Sequence, residues 1–410
     1  MRGEILCIGD ELISGRISDR NARYAAGRLW PLGLGLAGFS YLGDDPNEIV
    51  RVLREALARC DWLVVSGGLG TTEDDLTASA AAQALGLPLI EHPQKLAELE
   101  ALLSSRGRTV TSEIRRMALM PRGAEPLDPQ SAGFSITVDG GKPLYFLPGV
   151  PPEFSRIIER RVAPELGARF GSGHLASATI RLFGVGESEV GRRLAGLVNG
   201  VPGASLGYYP VFPEVILALS ARAETPELAR ERVAALEALC LERLADCVVV
   251  RGAQTLEARV GELLNSAGLT LSLAESCTGG LIGHRITEVA GSSAYFLRGY
   301  VVYSNPAKQE LLGVAAETLA NHGAVSAPCA AEMATGARTG SGSDLAVAVT
   351  GIAGPEGGSP EKPVGTVWFG LAHPGGVLTE QKRFMGDRQM VKLQAAENAL
   401  DLLRRHLEGL

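Results

Sequence analysis

The sequence predicts an α/β protein in three parts: a doubly wound α/β domain over residues 1–168, a small α+β module over 169–251, and a second α/β domain over 252–410. Three observations predict it. Short apolar runs alternate with stretches of helical spacing, the mark of a mostly parallel sheet with helices on both faces. Several of these runs empty into glycine-rich turns, and glycine supplies 51 of the 410 residues, above its usual share of about 7%. Between residues 171 and 250 the pattern changes to a strand, a helix, a second strand and a long helix, which sets off a separate module.

Glu4 to Gly9 is the first strand, a short apolar run ending in Gly-Asp-Glu. Ser18 to Leu32 has helical spacing, with Ser18 or Asp19 as its cap and Gly33 as its stop. Leu34 to Leu42 follows as a strand, Asp45-Pro46 opens a helix over Asn47 to Arg59, Trp62 to Val65 is a buried strand, and another helix begins after Asp75. Lys142 to Leu147 is the last strand of the domain and runs into the turn Pro148-Gly149-Val150-Pro151, ahead of a helix from Glu153 to Arg161. In the middle module Thr179 to Phe183 and Val215 to Ala221 read as strands, with helices from Ser188 and over Pro226 to Ala245. Beyond Arg251-Gly252 come a helix (Thr255 to Ala267), a strand (Thr270 to Ala274), a helix-like run (Leu281 to Val289) and a buried strand ending at Thr350.

Charge narrows the function. With 39 basic and 46 acidic residues the net charge is −7, so the chain as a whole has no attraction for a nucleic-acid backbone or an anionic membrane. Residues 171–250 have 7 basic and 9 acidic residues and lack a basic face, so direct nucleic-acid binding is not expected. The uncharged run from Leu194 to Pro213 is broken by Pro202 and Pro210, which argues against a membrane span. Met1-Arg2-Gly3-Glu4 leads straight into a strand without a signal-peptide pattern, and a cytoplasmic location is expected. Cys7, Cys60, Cys240, Cys247, Cys277 and Cys329 form no C-x-x-C pair, which points to reduced thiols rather than a zinc site or a disulfide framework.

In the first domain Gly67-Gly68-Leu69-Gly70 follows a buried strand and opens a helix, where main-chain N–H groups favour a bound anion. Glu73, Asp74 and Asp75 immediately beyond cannot themselves attract an anion; carboxylates there can hold a divalent metal that neutralises phosphates. Asp10 and Glu11, at the end of the first strand, lie where parallel sheets place their ligands. The same acids also fit a purely structural role at a helix N-terminus, favoured by the helix dipole.

The third domain carries three clusters. Ser276 lies in Glu275-Ser276-Cys277-Thr278-Gly279-Gly280, between a strand and a helix, where a nucleophile is exposed and nearby N–H groups can stabilise an oxyanion. Cys277 competes with it as the intrinsically better nucleophile, but a thiol mechanism wants a histidine partner, and His284, His322, His373 and His406 all lie outside site-like segments. Tyr303 and Lys308 flank a turn at Asn305-Pro306; a lysine kept neutral by burial can take a proton from serine, while a solvated lysine beside a strand tyrosine is the plainer alternative. Thr350 ends a buried strand that enters the loop Gly351 to Gly358, suited to a phosphate or ribose or simply to turning the chain, and Arg388 supplies a fixed cation.

Gly9-Asp10-Glu11-Leu12, the Gly67 to Thr77 segment and Leu147-Pro148-Gly149-Val150-Pro151 resemble the molybdopterin-binding fold as it occurs in the CinA competence/damage-inducible family. Thr71 stands where that family's turn has proline, a departure that touches turn rigidity more than chemistry. Phe183 to Glu189 resembles the family's KH-like domain, and the clusters from Ala274 to Arg388 resemble its C-terminal domain, which also exists as a stand-alone nicotinamide-nucleotide amidase. The resemblance implies Ser276 as nucleophile, Lys308 as general base and Tyr303 as supporting hydroxyl, with Thr278, Gly279, Gly280, Thr350, Gly351, Gly354 and Arg388 around the substrate. It implies nicotinamide mononucleotide as substrate and no cofactor for this domain. For the first domain it implies ADP-ribose pyrophosphatase activity, with Asp10, Asp74 and Asp75 holding a divalent metal against a diphosphate on Gly67, Gly68 and Gly70. A homodimer is expected. The alternative is a nucleotide-sensing, non-enzymatic partner protein in competence or recombination.

Overall fold

Continuous apolar runs become central strands because helices cover both faces of the sheet. The computed structural model, which describes residues 2–171 and 173–410, sets β1 (Arg2–Ile8) parallel to both β2 (Gly35–Leu42) and β3 (Trp62–Ser66). The sheet order is β2-β1-β3-β6-β5-β4, where β6 (Lys142–Leu147) runs parallel to β3, and β5 (Phe134–Val138) and β4 (Glu125–Pro126) are antiparallel additions. The sequence marks β6 but not this antiparallel edge, whose outer strand is only two residues long. Between the strands, α1 (Asn21–Leu29) is capped by the Asp19 carboxylate, which accepts from the N–H groups of Asn21 and Ala22 at 3.1 Å each. The carboxylate of Asp45 does the same for α2 (Pro46–Arg59), accepting from Asn47 N at 2.8 Å. The helix α3 (Thr77–Leu85) follows the glycine turn. The chain order β1, β2, β3 against the spatial order places the reversal of direction between β1 and β3, where open α/β sheets bind ligands.

The chain forms two units, Met1–Ala176 with Ala221–Glu231 and Ser177–Ser220 with Arg232–Leu410. The sheet of the middle module has the order β8-β9-β7-β10, from β7 (His174–Phe183), β8 (Ala204–Val211), β9 (Glu214–Ala223) and β10 (Val248–Arg251), with the long helix α4 (Pro226–Leu244). The strand β8 falls in the uncharged run that the sequence does not resolve into an element; it is an edge strand, largely half-buried or exposed, so its residues do not alternate cleanly.

The last domain has the sheet order β12-β11-β13-β14-β15, from β11 (Leu271–Glu275), β12 (Phe296–Val301), β13 (Leu345–Gly351), β14 (Thr366–His373) and β15 (Gly376–Arg383). The first three strands are parallel and the last two antiparallel. One face is covered by α5 (Leu256–Ala267), α6 (Leu281–Glu288) and α9 (Arg388–Glu408), whose leucines and valines pack on Leu273, Val347 and Phe369. The other face, lined by Ala274, Ala346 and Ala348, receives α8 (Ala327–Ser341) and the short helix α7 (Asn305–Leu312). Small residues permit close approach here: a Cβ on Gly370 would lie 2.4 Å from the Ala330 carbonyl oxygen. All six cysteines are free and buried. Among the described residues no helix is long and apolar enough to cross a membrane.

Candidate active site

In the last domain the chain passes from β11 to β12 on one side and then crosses to β13 on the other, so the loops after β11 and β13 part at a switch point. A cavity of about 260 Å³ opens there, lined by Ser276, Lys308, Thr350, Gly354, Glu356 and Arg388 among others. Ser276 follows β11 directly, and its N–H donates to Val349 O of the neighbouring strand at 3.0 Å. The hydroxyl Ser304 Oγ caps α7, accepting from Ala307 N, and turns Lys308 inward.

Lys308 is 1% exposed, and its Nζ lies 3.0 Å from Ser276 Oγ, 2.8 Å from Val302 O and 3.4 Å from Tyr303 O. Two carbonyls take the two N–H groups that a neutral amine keeps, which leaves its lone pair for the serine hydroxyl. Burial pushes Lys308 below the ordinary lysine range. The opposing effect comes only from Cys329 and Cys277, whose own thiols burial pushes up to about 11 and about 12, so both are neutral at neutral pH. Cys277 packs in the apolar core. None of the four histidines of this domain lines the cavity, and two of them, His373 and His406, pair ring to ring at 4.8 Å.

The expected companions of this pair are placed differently from one another. Tyr303 is 61% exposed, and its hydroxyl accepts from Arg388 Nη2 at 2.8 Å; only its main-chain carbonyl meets Lys308. Arg388 Nη1 donates to Gly354 O at 2.8 Å, which ties the glycine loop to α9. The Thr350 hydroxyl donates to Ala324 O at 2.8 Å and keeps its lone pairs for the cavity it lines. In the serine turn Gly279 N donates to Ser276 O at 3.1 Å and Gly280 N to Glu275 Oε2 at 3.0 Å. Those two amides are spent, which leaves the N–H groups of Cys277 and Thr278 for an oxyanion. The Thr278 hydroxyl is buried without a partner among the described residues.

Two residues here were not singled out by the sequence. Glu275, 2% exposed, also accepts from Ile282 N at 3.1 Å and Gly283 N at 2.8 Å and so anchors the start of α6. Lys392, four residues after Arg388 on α9, brings its Nζ to 3.7 Å from where a Cβ on Gly279 would stand. The spacing of Arg388 and Lys392 is a helical i, i+4 pair, a signal available only once the helix is recognised.

In the first unit Gly67 has φ of 104°, and a Cβ on it would lie 2.1 Å from Ile8 O, so glycine is required by packing before any ligand is considered. Asn21 Nδ2 donates to Ser66 Oγ at 2.9 Å and to Gly149 O at 2.8 Å, fastening this turn to the Pro148-Gly149 turn. A cavity of about 340 Å³ is lined by Gly68, Gly70, Glu73, Asp75, Arg116 and Phe134 among others. The Asp75 carboxylate is committed to the N–H and hydroxyl of Thr72, at 2.8 and 2.7 Å. Asp10, on the first turn of a short helix (Asp10–Ile13), exchanges hydrogen bonds with Asp44: Asp10 N donates to Asp44 Oδ2 at 3.0 Å and Asp44 N to Asp10 Oδ1 at 3.2 Å. Asp44 is pushed up by burial and by the charges of Asp10, Glu11 and Asp74, against a main-chain hydrogen bond from Asp10. Among the described residues no three His, Cys, Asp or Glu side chains converge as a ready-made metal site. Carboxylate oxygens are hard donors of the kind a divalent cation takes, so Asp10, Asp44 and Asp74 fit such an ion in chemistry and charge without forming a closed site by themselves.

Three family models match in chain order: a probable molybdopterin binding domain over residues 4–168, a damage-inducible protein CinA KH domain over 177–249, and a CinA C-terminal domain over 253–407. A CinA-like protein of Geobacter sulfurreducens is 45% identical over 411 residues, covering 99% of each chain. Another, from Citrifermentans bemidjiense, is 43% identical over 415 residues, covering 99% of this chain and 98% of its own. Among solved structures, a competence-damaged protein (CinA) superfamily protein from Klebsiella pneumoniae is 42% identical with a TM-score of 0.37, covering 38% of this chain and 97% of that one.

Proposed function

The chain belongs to the CinA family, and on that premise we propose that its last domain hydrolyses the carboxamide of nicotinamide mononucleotide to nicotinate mononucleotide and ammonia. The observation that carries this reading is the buried pair in which Lys308 Nζ stands 3.0 Å from Ser276 Oγ. Neutral Lys308 takes the hydroxyl proton as Ser276 Oγ attacks the carboxamide carbon. The N–H groups of Cys277 and Thr278 hold the oxyanion, and Lys308 returns the proton to the departing ammonia. Water then attacks the acyl ester, giving up its proton to Lys308, and the released Ser276 recovers it. Tyr303 and Arg388 act as one unit in this reading, a clasp that fixes the glycine loop beside the substrate.

A second activity is favoured by the carboxylates of Asp10, Asp44 and Asp74 beside the glycine turn. We propose a metal-dependent pyrophosphatase acting on ADP-ribose, with the amides of Gly67, Gly68 and Gly70 seating the diphosphate and Asp10 and Asp74 contributing to the hold on a divalent cation that the diphosphate itself helps to bind. When bound, the cation neutralises the diphosphate. Asp75 serves the turn through Thr72 in this arrangement.

Ammonia release from nicotinamide mononucleotide, and phosphate-ester release from ADP-ribose, separate the two when each is measured with and without EDTA in wild-type and Ser276→Ala protein. Ammonia release that survives EDTA and disappears in the variant is expected. Persistence in Ser276→Ala would overturn the serine assignment. If the wild type is silent in both assays, the nucleotide-sensing partner role takes the place of both.

A further inference from the structure

Arg388 and Lys392 lie one turn apart on α9 and are used differently. The Arg388 guanidinium is engaged inside the protein, with Gly354 O and the Tyr303 hydroxyl. Lys392 is half-buried and has no hydrogen bond or ion pair among the described residues. Its ammonium is nevertheless held over the nucleophile turn, 3.7 Å from the position of a Cβ on Gly279, and close enough for its charge to act on the Cys277 sulfur. The nearest acid in that turn, Glu275, spends both oxygens on the N–H groups of Gly280, Ile282 and Gly283. The acid of that turn is thus committed to the main chain and makes no ion pair with the Lys392 ammonium.

Ser276 and Lys308 recognise only a carboxamide, and nothing in that pair tells a nucleotide from its nucleoside. A free cation over the turn that follows Ser276 can, because a phosphate monoester carries close to two negative charges at neutral pH. A lysine ammonium suits that task as a compact point charge on a long stem. We infer that Lys392 takes the phosphate of a nucleotide whose carboxamide faces Ser276, and so selects phosphorylated over unphosphorylated substrate. This rests on the amidase reading above for the position of the carboxamide.

The test compares kcat/KM for ammonia release from nicotinamide mononucleotide and from nicotinamide riboside in wild type, Lys392→Gln and Lys392→Arg. Alongside, calorimetry measures ribose 5-phosphate against ribose in the same three proteins. The wild-type preference for the nucleotide is expected to fall about 10- to 100-fold in Lys392→Gln, the size of one charge-assisted hydrogen bond, and to be largely retained in Lys392→Arg. The fall is expected in KM rather than kcat. A preference unchanged in Lys392→Gln overturns the inference while leaving the amidase standing. If the wild type releases no ammonia but ribose 5-phosphate binding is lost in Lys392→Gln, the anion site stands and the amidase falls. Ribose 5-phosphate binding no tighter than ribose in every protein, without amidase activity, overturns both.

Discussion

Replacing Glu275 by glutamine tests the idea that the nucleophile is positioned by a buried carboxylate. Its Oε2 accepts from Gly280 N and Ile282 N at 3.0 and 3.1 Å, its Oε1 from Gly283 N at 2.8 Å, and the residue is 2% exposed. Glutamine keeps one acceptor oxygen and presents an NH2 at the other position. Whichever way the amide lies, at least one bond is lost and a donor is turned against a donor. A hydrogen bond to a charged group contributes about 1.5–3 kcal/mol, and a stranded buried donor costs about 1–3 kcal/mol. Together they predict about 3–5 kcal/mol of local destabilisation, with a few tenths more from losing a negative charge at a helix start. Hydrogen exchange followed by mass spectrometry on peptides covering Leu281–Glu288 reads this directly, as exchange about 10²- to 10⁴-fold faster. Because Ser276 adjoins Glu275, ammonia release is expected to lose at least about tenfold in kcat. Exchange within threefold of wild type, with full activity, would refute the reasoning.

Two other predictions concern the pair itself. Lys308→Met is expected to lower kcat/KM by about 10²- to 10⁴-fold. In the wild type kcat/KM should rise with pH and level off below the ordinary lysine value, because burial lowers the folded pKa and only the neutral amine accepts the proton. Between that lowered value and the unfolded one the folded state binds fewer protons, so stability also rises with pH, a slope that Lys308→Met removes; a kcat/KM flat or falling from pH 6 to 10 contradicts this. With its thiol pushed up to about 12, Cys277 is protonated at neutral pH, so Cys277→Ala should keep most of the ammonia release and iodoacetamide should leave Cys277 unlabelled by mass spectrometry. Rapid labelling with loss of activity would restore the thiol as a candidate nucleophile.

Ser276, Thr350 and Arg388 are legible in the sequence because each lies at a strand end or beside a glycine, where apolar periodicity stops and chemistry-bearing residues stand out, and Lys308 because it follows the Asn305-Pro306 turn that opens α7. The contacts around the Ser276 and Lys308 pair are not. The sequence reads the Tyr303 hydroxyl only as a companion of Lys308, whereas α9 brings Arg388 Nη2 to it at 2.8 Å, a contact between residues far apart in the chain. Asp44 joins Asp10 because β1 and β2 run in parallel register and Gly9 N reaches Leu42 O at 2.9 Å, a pairing that no local pattern announces. Glu275 reads locally as the polar end of a strand. The edge strand β8 stayed hidden among glycines and prolines for the complementary reason, a lack of contrast between its two faces.

The N–H of Ser276 is fastened to Val349 O, on a strand that leaves the ribosome well after the serine does. At roughly 5–20 residues per second the nascent chain holds the Ser276 N–H for several seconds without that partner. On the amidase reading, the serine turn therefore reaches its final geometry only when β13 docks beside β11, and the onset of ammonia release in a refolding mixture is expected to follow that central pairing.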